Sequence, residues 1–207
     1  MVLRSYIFVD NSNIFIEGQR AAALAEGSEA RGKLYRLDFG RLFSFLNPNP
    51  NESFFTLGNE QFPKLYGSVP PPMDSIWRLL STMGVGLKIF RKNPSGKEKR
   101  VDAALIIDCT KLVSKLQPKP DGEIVIVAGD ADYYDLVGEA RNSGWKVRIV
   151  CWEHATAKLV QRLHGYQDLT PHLMKVGFFE RFEFKHAYGE VDWSKVVPYH
   201  DRPVKIR

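Results

Sequence analysis

Glu123-Ile124-Val125-Ile126-Val127-Ala128-Gly129-Asp130-Ala131-Asp132-Tyr133-Tyr134 is the stretch whose reading decides the fold. Its run of β-branched apolar residues predicts a strand buried on both faces, as in a parallel sheet. Gly129 permits a sharp turn at the end of that strand, and two carboxylates follow, two residues apart. Asp135 to Arg141 has helical spacing, which places Asp132 as an N-cap and Asp135 near the third helical position. In an open α/β sheet, ligands bind in the crevice outside the carboxyl ends of the strands. Asp130 and Asp132 are therefore expected at that crevice. A turn residue and a cap residue are the plainer reading of two such aspartates.

Around this stretch the same pattern repeats. Ser5 to Val9 is a short apolar strand that runs straight into Asp10-Asn11-Ser12-Asn13, and a helix opens there and ends near Gly27. Asp38 caps a second helix with Phe39, Leu42, Phe43 and Leu46 on one face, stopped by Asn47-Pro48. Strands are expected at Lys64–Val69, Gly86–Phe90 and Lys146–Trp152, and helices at Met73–Met83, Val101–Leu116 and Thr156–Leu163. Strand–helix alternation of this kind implies a mostly parallel, Rossmann-like α/β sheet with helices on both faces. The stretch 47–64 is rich in Asn and Pro and shows no period, so it reads as a long loop, with Phe54 and Phe55 packing it down. The tail from Phe178 is aromatic-rich, with an edge strand expected where Phe182 and Phe184 alternate with charges. It reads as an extension wrapped on the domain or on a partner, which includes a second copy of the chain.

The 207 residues suffice for one full-sized α/β domain, and 44% hydrophobic with 26% charged residues describes a globular chain. No apolar run approaches the roughly 18 residues that a membrane helix requires. The first ten residues are too short and too soon charged for a signal peptide. Cys109 and Cys151 make neither a metal-ligand spacing nor a disulfide framework, which suits a reducing compartment, and a cytoplasmic location is expected. The net charge is +5, and it is localised. Residues 88–119 hold nine Lys or Arg against three acids, an excess larger than that of the whole chain. Arg91, Lys92, Lys97, Lys99 and Arg100 supply most of it from one loop. A localised positive surface suits a polyanionic partner, although it also suits a merely solvated face.

Three strand or helix ends present acids toward one crevice: Asp10, Asp102, and Asp130 with Asp132. Carboxylates held this close raise one another's pKa unless a cation neutralises them. Oxygen donors without His or Cys favour Mg²⁺ or Mn²⁺ over zinc. Carboxylate-bound metal beside a basic loop points to phosphodiester chemistry, in which the metal activates a water. Asn13 suits a water or phosphate oxygen, or a cap. Asp108 lies about 120° round the helix from Asp102 and reads as hydrogen-bonded support rather than a ligand. His154 follows the fifth strand at the same end of the sheet, where a His is more often satisfied by the backbone.

Phe8-Val9-Asp10-Asn11-Ser12-Asn13, Val101-Asp102 with Asp108 six residues on, and Gly129-Asp130-Ala131-Asp132-Tyr133 together resemble the three motifs of NYN domains, relatives of the PIN-like nucleases. The chain is most similar to the LabA-like branch, over roughly residues 5–175. Any one motif is weak; the ordered set is specific. The resemblance implies a PIN-like domain over 1–177, with an insertion at 47–64 and an extension over 178–207. It implies a metal-dependent ribonuclease with Asp10, Asp102, Asp130 and Asp132 around Mg²⁺ or Mn²⁺, and Asn13 beside them. Tyr133 stands where Phe is more usual.

An endonuclease acting on RNA is the resulting expectation, with the 91–100 loop gripping backbone phosphate. An RNA-binding module that keeps the metal site but turns over little shares all these residues and stays open. A phosphatase would want an Asp-x-Asp at the first strand, and a dinucleotide enzyme a Gly-x-Gly-x-x-Gly. Neither pattern is present at Asp10-Asn11-Ser12.

Overall fold

From Arg4 to Asp10 the chain forms a strand, β1, in which Tyr6 and Phe8 enter one core while Ile7 and Val9 enter another. That alternation, apolar on both sides, requires covering layers on both faces of whatever sheet β1 joins. A computed structural model of the chain describes residues 4–47, 49, 54–68, 75–90, 100–116 and 122–180. After β1 come α1 (Asn11–Glu26), the short α2 (Glu29–Gly32), β2 (Tyr35–Leu37) and α3 (Phe39–Leu46). The hairpin β3 (Phe55–Leu57) and β4 (Glu60–Phe62) leads to β5 (Lys64–Ser68), α4 (Ser75–Thr82) and β6 (Gly86–Phe90). The second half holds α5 (Val101–Lys115), β7 (Gly122–Val127), a 3₁₀ turn (Ala131–Tyr133) and α6 (Tyr134–Asn142). It continues through β8 (Lys146–Cys151), α7 (Lys158–Gln161), β9 (Tyr166–Asp168), α8 (Leu173–Val176) and β10 (Gly177–Phe179).

Six strands make one parallel sheet in the order β6-β5-β1-β7-β8-β9. The chain builds outward from β1 to β5 and β6, then crosses back to β7 and builds outward the other way. The direction of winding therefore reverses between β1 and β7, and such a switch point opens a crevice at the carboxyl ends of the strands. Asp10 ends β1 there, and Asp130 follows β7. One face of the sheet carries Ile7, Val9, Val125 and Val127 against Ile14 of α1, Leu42 and Phe43 of α3 and Leu80 of α4. The other carries Tyr6, Phe8, Ile124 and Ile126 against Leu105 and Cys109 of α5 and Val137 of α6. The fold is the expected α/β sheet with helices on both faces. No helix among the described residues is long and apolar enough to cross a membrane.

Several local expectations change. The 47–64 stretch is not an unbroken loop, because Gly58 takes φ 59° and lets β3 and β4 pair as an antiparallel hairpin. Phe55 does pack down: its ring stacks on Phe62 and meets Tyr6 edge-on. The helix expected over 156–163 is one turn, Lys158–Gln161, and the chain then adds the short edge strand β9. Gly177–Phe179 pairs antiparallel with Tyr35–Leu37, so regular structure continues past residue 177. The alternating segment at 182–185, with the rest of the tail, lies outside the described residues.

Asp132 does not cap a helix. A 3₁₀ turn intervenes between β7 and α6, and Asp130 caps it, its Oδ1 accepting from the Asp132 amide at 3.2 Å. The preceding Gly129 is fixed by close approach. A Cβ there would lie 2.8 Å from both the Ala155 carbonyl oxygen and Cys151 Sγ. The Gly129 carbonyl also accepts from the Ala157 amide at 2.9 Å, which ties the turn after β8 to the turn after β7. Gly129→Ala should cost about 1–3 kcal/mol, the range of an overpacked core, read as a lowered urea midpoint with an unchanged m-value. An unshifted midpoint would mean that the two turns are not in fixed contact.

Candidate metal centre at the strand switch point

Asp10 sits at the end of β1 in register with Tyr66 of β5, and it is 4% exposed. Its side chain shares the face of Tyr6 and Phe8, because alternate residues of a strand point the same way. Its Oδ1 accepts from the Asn13 amide at 3.2 Å, so it is the N-cap of α1. The Tyr133 hydroxyl lies 3.2 Å from Asp10 Oδ2 and 2.9 Å from Asp102 Oδ1. Three elements thus meet at one phenol oxygen: the end of β1, the first turn of α5 and the turn after β7. Asp102 occupies that first turn of α5, where a carboxylate is favourable at the positive end of the helix dipole.

Burial, and then the negative charge of Asp102, push the Asp10 carboxyl up from its ordinary value to about 7. The Asn13 amide and the Tyr133 hydroxyl oppose this shift without cancelling it. Burial and the two carboxylates likewise hold the Tyr133 phenol well above its usual range. One phenol proton cannot serve two carboxylates fully. The pair is short of positive charge, which is the condition a hard divalent cation relieves. The donor set therefore fits Mg²⁺ or Mn²⁺, with Asp10 and Asp102 as the converging pair. Asp130 and Asp132 stand exposed on the turn at the end of the neighbouring strand. Among the described residues, no three His, Cys, Asp or Glu side chains are grouped so that they could hold a metal ion together.

Asn13 lies one turn into α1, and its Oδ1 accepts from the Cys151 thiol at 3.3 Å. Asp108 lies away from the pair, buried beneath Lys64, Lys88 and Tyr66. Lys88 donates to it at 2.7 Å and the Tyr66 hydroxyl at 2.8 Å, while Lys64 Nζ stands 3.6 Å off. Burial alone would raise its carboxyl, but these partners outweigh burial and leave it lowered. Arg100 packs its guanidinium over the Phe90 ring at 5.0 Å, just before α5. Arg91, Lys92, Lys97 and Lys99 lie outside the described residues.

Two features escaped the sequence. Tyr133 is more than a hydrophobic plug, because its hydroxyl touches both converging carboxylates. Glu17 accepts from Arg20 at 2.6 Å and meets His154 Nε2 at 3.1 Å, so His154 is satisfied by a side chain rather than by backbone.

The sequence pattern of the NYN domain matches residues 4–170. No curated protein is matched by this chain. Among solved structures, a crystallised Vibrio parahaemolyticus protein of unknown function is similar in fold, at 16% identity and a TM-score of 0.58. The match covers 81% of this chain and 93% of that one.

The Asp10 shift has a consequence for stability. A carboxyl raised by folding contributes stability that is full below its unfolded pKa and is lost as pH rises through the folded value. Without metal, this group's contribution should therefore fade between about pH 4 and pH 7. Asp10→Asn should remove that dependence, so that its melting temperature in chelator exceeds wild type by more at pH 8 than at pH 5. A constant difference across that range would mean that Asp10 ionises as an ordinary carboxylate. By its match over most of its length, the chain belongs to the NYN domain family, whose members are generally PIN-like nucleases.

Proposed function

We propose that this protein is a divalent-metal-dependent ribonuclease of the LabA-like branch, cutting RNA internally. The observation that carries the reading is Asp10: a buried carboxylate at the strand switch point, pressed against Asp102 without enough protons or cations to balance the two. Membership of the NYN family adds weight, since PIN-like nucleases generally use divalent metals and NYN nucleases usually act on RNA.

In this reading Asp10 and Asp102 hold Mg²⁺ or Mn²⁺, with Asp130 reaching in from the next strand end. Bound there, the ion supplies a water of lowered pKa and stabilises charge on the phosphorus oxygens. Asp132 ligates as well or orients the attacking water. Asn13, fixed by Cys151, holds a water or a phosphate oxygen beside them. Asp108 supports α5 from behind, through Lys88 and Tyr66. The loop 91–100 grips backbone phosphate and, having no aromatic residue, reads no bases. In the same reading the extension over 178–207, whose first residues pair with β2, contacts a protein partner or a second copy of the chain, and a cytoplasmic location suits the whole.

The test is cleavage of a mixed RNA substrate. Products should appear with Mn²⁺ or Mg²⁺, vanish with chelator and return when metal is restored. Asp130→Asn should lose turnover by orders of magnitude while its circular dichroism and melting stay those of wild type. Full cleavage by Asp130→Asn would remove that residue from the site. Metal-dependent RNA binding without products would leave the rival reading, a binding module with a metal site.

A further inference from the structure

We propose that Tyr133 is a positioning residue, whose hydroxyl holds Asp102 of α5 beside Asp10 of β1 so that the two carboxylates meet a divalent ion as a pair. The inference rests on the metal-dependent reading above and assigns a task within that site. Its basis is geometric. The Tyr133 ring is fully buried among the residues between the sheet and α5, so the core fixes where its oxygen stands. That oxygen lies 2.9 Å from Asp102 Oδ1 and 3.2 Å from Asp10 Oδ2. Asp10 Oδ1 is held separately by the Asn13 amide. Both oxygens of Asp10 are thus oriented, one from α1 and one from Tyr133, while Asp102 is exposed apart from this contact.

The hydroxyl approaches from the core side. Each carboxylate oxygen has more than one lone pair, so a donor on the inner side leaves acceptor capacity toward the crevice. Tyr133 closes the 3₁₀ turn that Asp130 caps. That one turn therefore aims Asp130 outward and Tyr133 inward, and links the end of β7 to the end of β1 and the start of α5. A phenylalanine would fill the same space and make neither contact. Asp102 would then be placed by its helix alone and would face the Asp10 charge without a tether.

The experiment compares wild type, Tyr133→Phe, Asp102→Ala and the double variant for Mn²⁺ binding, read from the electron paramagnetic resonance signal of the free ion. Melting in chelator checks that each variant is folded. Tyr133→Phe is expected to bind Mn²⁺ about 10- to 100-fold more weakly, the usual loss for a residue orienting a ligand. In the Asp102→Ala background the same change should alter binding by no more than about twofold, because the tethered carboxylate is gone and Asp10 is still held by its burial and the Asn13 amide. Turnover of RNA in Tyr133→Phe should fall through kcat, with KM held within about threefold. Equal or tighter Mn²⁺ binding by Tyr133→Phe would overturn the inference. So would an equal loss in both backgrounds, which would make the hydroxyl act independently of Asp102, or an unfolded Phe variant, which would make it a requirement of the fold. Wild type that binds no Mn²⁺ would overturn the metal-dependent reading itself, a result distinct from wild type and Tyr133→Phe binding alike.

Discussion

β1 and β7 lie side by side in register from Arg4 opposite Gly122 to Val9 opposite Val127, and the ladder ends there. Beyond it each strand must release its chain into a helix on a different side of the sheet. Asp10 is the first residue past the last pair, and its natural task is to cap α1. That task holds it inside the protein, at 4% exposure, where a charge is costly. The helix that crosses back from β6 to β7 starts at the same end of the sheet and brings Asp102 within reach of the same hydroxyl. The site is thus a consequence of topology: two helix starts and one strand end converge where the winding direction changes.

This convergence is strained electrostatically rather than sterically. Burial opposes the charge on Asp10, the neighbouring carboxylate opposes it further, and the local donors, an amide and a phenol, only partly offset both. Asp108, on the same helix as Asp102, shows the contrasting solution. It too is buried, but two lysines and a tyrosine surround it, and its carboxyl is lowered rather than raised. Two buried carboxylates thus differ in kind: Asp108 is balanced and supports the fold, while Asp10, at the crevice, is not. Metal binding in the proposed reading would supply the charge that the second lacks.

How much of this was legible depends on the range of the interactions. Strands buried on both faces announce themselves by runs such as Ile124 to Val127, and five of the six strands of the parallel sheet were expected from such runs. β2, β9 and β10 are three residues each and carry no run to find. The β3–β4 hairpin did leave a signal, Gly58-Asn59 after the apolar Phe54 to Leu57, hidden by the Asn- and Pro-rich residues before it. The convergence of Asp10 and Asp102 was legible because strand ends and helix starts can be placed from periodicity. The capping role of Asp132 was misplaced because spacing alone cannot reveal a 3₁₀ turn between a strand and its helix. The contacts of Tyr133 and the pairing of Glu17 with His154 join residues far apart in sequence. They depend on how whole elements pack, and no local pattern encodes that.

In the proposed reading the Asp10–Asp102 pair lacks positive charge that a divalent ion supplies. Its most direct test is the melting temperature of wild type and Asp10→Asn at pH 8, each with chelator and with millimolar Mn²⁺. A ligand that binds only the folded state raises stability in proportion to the logarithm of its excess over Kd. Mn²⁺ should raise the melting temperature of wild type by several degrees and leave Asp10→Asn almost unmoved. An equal rise in both proteins, or none in wild type, would contradict the account.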